Sequence, residues 1–132
     1  MQLQELVPHI AARQGWTWRP DPGGDLLVEV PLHGGRTQVV RLSRILDPEQ
    51  DEVVVVWSVA GDAAAVTDPM ALLRYSTTMV YGAVAVRDNA IIVKHTVRSA
   101  AADDATVTKA LFHVGRVADS LEAEAYGAHD AN

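Results

Sequence analysis

Seven residues in the middle of the chain, Val53-Val54-Val55-Val56-Trp57-Ser58-Val59, set the hardest constraint on any fold. β-Branched residues favour extended backbone, and successive side chains of a strand point to opposite faces. Val53, Val55, Trp57 and Val59 therefore share one face, and Val54 and Val56 lie on the other. Both faces are apolar. An antiparallel strand covered by helices on one side normally keeps polar residues on the other. Something besides the protomer's own helices is then needed on the second face: a dimer partner, a segment of a client protein, or an extra helix. The run is far too short to cross a bilayer, which takes about 20 apolar residues.

The flanking sequence supplies the other elements. Leu3, Leu6, Val7 and Ile10 recur at helical spacing, with Pro8 marking a late start or a kink and Gly15 an end. Pro20-Asp21-Pro22-Gly23-Gly24-Asp25 is loop chemistry. Alternation over residues 26–32 reads as a half-buried strand, and Pro31 places an edge or a strand end there. His33-Gly34-Gly35 turns the chain into a strand over about residues 36–46. A second turn, Asp47-Pro48-Glu49-Gln50-Asp51, leads into the apolar strand. Asp68-Pro69 is a helix start, and the helix carries Leu72, Leu73, Met79 and Val80. Strands over about residues 82–87 and 90–98 are joined by Asp88-Asn89, which reads as a two-residue type I′ hairpin because both residues tolerate positive φ. Asp103 and Asp104 precede a last helix whose apolar stripe is Val107, Leu111, Val114, Ala118, Leu121 and Ala125. The order is α-β-β-β-α-β-β-α. It predicts a single α+β domain over residues 1–132, with helices packed on a mostly antiparallel five-stranded sheet.

Chemistry is scarce. Acids outnumber bases, 17 to 11, for a net charge of −6. Nucleic-acid affinity rests on cations that neutralise phosphates, so no direct nucleic-acid partner is expected. The absence of cysteine excludes disulfides, Cys-ligated zinc, iron–sulfur clusters and thiol nucleophiles. It also fits a reducing cytoplasm. Met1 to Glu5 lacks the basic and apolar regions of a signal peptide, so neither export nor a membrane is expected. His9, His33, His95, His113 and His129 form no closely spaced pair of the kind that binds metals. His95 lies on a strand face with Ile91, Val93 and Val97 and reads as a partly buried, satisfied imidazole. Phosphate-loop glycine patterns are missing. Without a G-x-S-x-G elbow, His33-Gly34-Gly35 reads as a turn rather than an oxyanion hole. Asp47-x-Glu49-x-Asp51 has Glu52 and Ser58 where a calcium loop needs glycine and glutamate. Ser58 and Ser76 have no base at fixed spacing. Arg36 and Arg44 share a strand face that Arg41 does not, which breaks any single cationic stripe. No catalytic residue, cofactor or metal is expected, and the chain reads as a non-enzyme.

Five stretches then carry a resemblance. They are Gly15-Trp16, Gly35-Arg36-x-Gln38-x-Val40, Ser58-x-x-Gly61, Leu72-Leu73-Arg74-Tyr75-Ser76 and Ala118-Asp119-x-Leu121-Glu122. In this order the chain resembles the YbjN-like branch of the type III secretion chaperone-like superfamily of bacterial proteins, whose members commonly carry Asn where Ser76 stands. The resemblance implies a small α+β domain with the same element order, a homodimer that binds segments of other proteins, and no enzymatic role. It also ties the branch loosely to stress adaptation and regulation. The leading expectation is a chaperone-like or adaptor-like protein-binding module. The alternative is a small-molecule or lipid-binding domain with its pocket between the sheet and the last helix. Candidate residues for protein binding or the dimer interface are Val53, Val54, Val55, Val56 and Trp57, with Leu72, Leu73 and Met79.

Overall fold

In the computed structural model, which describes residues 2–125, the chain opens with helix α1 (Leu3–Gln14). Leu3, Leu6, Val7, Ile10 and Ala11 are its buried face. The helix does not start late: it runs from Leu3 straight through Pro8, which forfeits one backbone donor. Gly15 ends it in the left-handed conformation. His129 lies outside the described residues.

Among the described residues six strands follow, not five. The addition is β1 (Thr17–Pro20), a four-residue edge strand whose side chains are all exposed. It pairs with β2 (Leu26–Pro31), and β3 (Thr37–Leu46), β4 (Glu52–Asp62), β5 (Ala83–Arg87) and β6 (Ala90–Arg98) complete the sheet. All neighbours are antiparallel, in the order β1-β2-β3-β4-β6-β5. Pro31 closes β2 beyond the last residue paired with β1, where its missing N–H costs no bond to that neighbour. The two-residue β5–β6 hairpin is present but is not type I′: Asp88 has φ 53°, while Asn89 does not take the positive φ that type requires.

Helix α2 (Pro69–Ser76) starts as its sequence dictates: the Asp68 carboxylate accepts from the Ala71 N–H at 3.1 Å. It ends at Ser76, so Met79 and Val80 fall in the following turn rather than on the helix. The β-branched Thr77 and Thr78 donate their hydroxyls back to the Arg74 and Tyr75 carbonyls, which helps close that end. Helix α3 (Asp104–Ala125) is capped by Asp103, which accepts from the Thr106 N–H at 2.8 Å. The Thr106 hydroxyl, and after it that backbone N–H, hold the Asp103 carboxyl below its ordinary pKa.

All three helices lie on one face of the sheet. Val107, Leu111, Val114, Ala118 and Leu121 of α3 meet Val28, Val30, Val40, Leu42, Val54 and Val56, and α1 joins the same core. Gly115 brings α3 close: a Cβ there would stand 3.2 Å from Val40 Cγ2. Polar ties fix the same elements. Arg36 donates to Asp119 at 2.8 Å, and Gln38 donates to Ser58 Oγ at 2.9 Å. Arg13 and His9 of α1 both reach Asp104, the latter at 3.3 Å. No described helix is long and apolar enough to cross a membrane.

Gly82, ahead of β5, has φ 106°, and a Cβ there would stand 2.8 Å from the Lys94 carbonyl oxygen. Gly24 has a similar φ, 99°, but open space around it. Both alanine variants carry backbone strain of about 1–3 kcal/mol, and only Gly82→Ala adds a backbone clash. Urea denaturation is expected to show the larger loss for Gly82→Ala; equal losses would contradict this packing.

Candidate functional site

The candidate residues do not form one surface. Register puts Val54 and Val56 on the helix-covered face, opposite Val97 and His95. Val53, Val55 and Trp57 lie on the other face, and the chain itself buries them there. Leu72 and Met79 are half-buried against the main core, and Leu73 is 54% exposed.

Within this chain, side chains of the neighbouring strands bury the middle of the second face of β4, and no helix lies on it. Val55, Trp57 and Ile92 form a small cluster with Ala85 and Ala90 from the strands alone. Two cations lie over the indole: the Arg87 guanidinium, 4.4 Å from the ring centroid, and that of Arg41, 5.4 Å away. The indole N–H donates to Ser43 Oγ at 3.0 Å. Trp57 is thereby reduced to 7% exposure on a face that carries no helix. Around this sealed centre, Val39, Ile45 and Val59 remain exposed on the same face. Arg19, Leu27, Val39, Arg41, Trp57 and Val59 line a shallow depression of about 390 Å³.

Sequence reasoning placed Val53, Val55, Trp57 and Val59 on this face but missed the cations around them. Parity separated Arg41 from Arg36 and Arg44, and the structure agrees: Arg36 reaches Asp119 on α3, while Arg41 lies over Trp57. The cations instead gather across neighbouring strands. Their parity within each strand was available, but the strand order that brings them together was not.

The remaining motifs serve the fold. Asp47 turns its carboxylate onto its own loop, accepting from the Glu49 and Asp51 N–H groups at 2.9 Å each. Among the described residues no three His, Asp or Glu side chains converge as a metal site would require. Ser58 is held in the core, donating to the Val39 carbonyl at 2.7 Å.

A second cluster joins the turn after α2 to β6 and α3. The Tyr81 ring stacks on His113 at 4.5 Å and meets His95 edge-on at 5.8 Å, with Lys109 over its face. Burial pushes the His113 pKa down, and the Arg116 and Lys109 charges add to the effect. The unfolded chain therefore takes up this proton first on acidification, at about pH 6.5. Stability is expected to be unaffected by this group above that pH and to fall as pH drops toward the lowered folded value. His113→Gln should flatten that part of the stability–pH profile; an unchanged profile would remove His113 as its source.

No protein-family model matches the chain, and no curated protein matches it.

Proposed function

We propose that this protein is a non-enzymatic protein-binding module, chaperone-like or adaptor-like, of the YbjN-like kind its motifs resemble. The observation that carries the reading is the helix-free sheet face, with Val39, Ile45 and Val59 exposed around a buried centre. Exposed apolar residues gathered on one face commonly mark interaction sites. For the ligand-pocket alternative, a cleft of about 580 Å³ lies at the rim of the sheet–α3 layer, lined by Leu32, His33, Arg36, Phe112, Arg116 and Asp119, while the middle of that layer is closed. Between sheet and α3 the side chains of Val107, Leu111, Val114 and Ala118 are fully buried, and Gly115 brings the helix against Val40.

The test is site-directed photo-cross-linking in cells, with p-benzoylphenylalanine replacing Val59. The same group in place of Glu49, exposed in the β3–β4 turn, is the control. Adducts with other polypeptides at 59 and not at 49 are expected. Equal labelling, or none at 59, would overturn the reading.

Self-association belongs to the same proposal and to a different surface. Met70, Leu73 and Val80 are exposed around α2, and a two-fold dimer needs one self-complementary patch. Sedimentation equilibrium is expected to give twice the 14.2 kDa chain mass. A monomer at high concentration would overturn the dimer.

A further inference from the structure

We infer that the helix-free sheet face docks an acidic, amphipathic helix of a partner protein. This rests on the protein-binding reading and adds the chemistry of the partner. Pairing register places Arg19, Arg41, Arg87, Lys94 and Arg98 on that one face. These are five of the eleven cations in a chain of net charge −6. Two strand carboxylates share the face, and both are engaged. Glu29 pairs with Arg19 at 3.0 Å, and Asp62 accepts from the Ala64 N–H. The Asp21 carboxylate reaches Arg41 from the β1–β2 loop at 3.7 Å, which leaves five cations against three acids. The face is thus net positive, while the rest of the molecule carries more than all of the negative excess.

The arrangement is directional. Exposed Val39, Ile45 and Val59 lie on the adjacent strands β3 and β4, flanked by Arg19 on β1 and by Lys94, Arg98 and Arg87 on β6 and β5. Exposed valine and isoleucine at both ends, Arg41 between them and cations on both sides match a helix with apolar residues on one stripe and acidic residues beside it. The 10-residue β3 runs about 33 Å, the length of a helix of about 20 residues. Helices already cover the opposite face, and a further helix would complete a three-layer arrangement. Stacking of nucleobases is disfavoured, because single-strand binders present open aromatic faces and Trp57 is closed off between two arginines. A second copy docking through the same face would set cations against cations.

The experiment uses the full chain and four labelled probes. Two are helical peptides of about 20 residues, with leucine on one stripe and either glutamate or lysine elsewhere. The others are oligothymidylate and vesicles of phosphatidylserine in phosphatidylcholine. Fluorescence anisotropy, with co-sedimentation for vesicles, is expected to show saturable binding of the acidic peptide that weakens with salt. Lys94→Glu with Arg98→Glu, both on exposed side chains, should weaken it about tenfold with an unchanged circular dichroism spectrum. Val59→Asp should weaken it as well. Tighter binding of the basic peptide, oligothymidylate or vesicles would overturn the inference, as would indifference to the Lys94 and Arg98 changes. Cross-linking from position 59 to a basic segment would overturn the acidic helix while leaving the protein-binding reading intact. An absence of adducts at 59 would overturn that reading itself.

Discussion

Val54→Lys combined with Val56→Lys is expected to abolish cooperative folding. Both valines lie beneath the helices, 2% and 0% exposed. Each loses about 1.5–3 kcal/mol of apolar burial, and each new ammonium would lie in a core with no partner, a further penalty of several kcal/mol. Together these match or exceed a typical domain stability of about 5–15 kcal/mol. The companion pair, Val53→Lys with Val55→Lys, changes residues only slightly more exposed, at 6% and 9%. Its outcome should differ. No helix seals that face, so a lysine stem can lie along the sheet with its ammonium in water. Circular dichroism and urea denaturation should show a folded protein with a lowered midpoint. Loss of folding in both pairs would mean that the two faces are equally closed.

Leu111→Ala is expected to cost about 2–5 kcal/mol, since truncating a buried leucine removes transfer energy and leaves a cavity. Leu111 is fully buried where α3 crosses the sheet, in the same core as Val40 and Val56. At about 4 °C per kcal/mol for a domain of this size, the melting midpoint should fall by about 8–20 °C. Exposed Glu122 near the end of the same helix provides the control, and Glu122→Ala should stay within about 0.5 kcal/mol. Small, equal effects would mean that α3 is not docked through this stripe.

Elements that announce themselves through backbone chemistry or periodicity were legible before any fold was known. The Asp68-Pro69 helix start, the Asp88-Asn89 hairpin and the α3 stripe from Val107 to Leu121 all stand where their residues predict. Strand β1 was not legible, for a physical reason. Thr17-Trp18-Arg19-Pro20 buries none of its side chains, so it has no apolar alternation, and only its backbone pairing with β2 makes it a strand. The end of α2 was read too late, with Met79 and Val80 on the helix, although the β-branched Thr77-Thr78 pair already marked a weak end. Thr77 and Thr78 turn their hydroxyls onto the last carbonyls of that helix.

The sequence by itself determined that β4 is apolar on both sides, because face parity within a strand is a local property of two-residue periodicity. It could not determine what covers the second side. That was decided by strand order: β6 enters between β4 and β5. Trp57 on β4 therefore lies within reach of Arg87 on β5 and Arg41 on β3. Which strands become neighbours depends on non-local pairing and on how the whole helix layer packs. The cationic surface around Trp57 is accordingly a product of tertiary structure, assembled from arginines that are unremarkable one strand at a time.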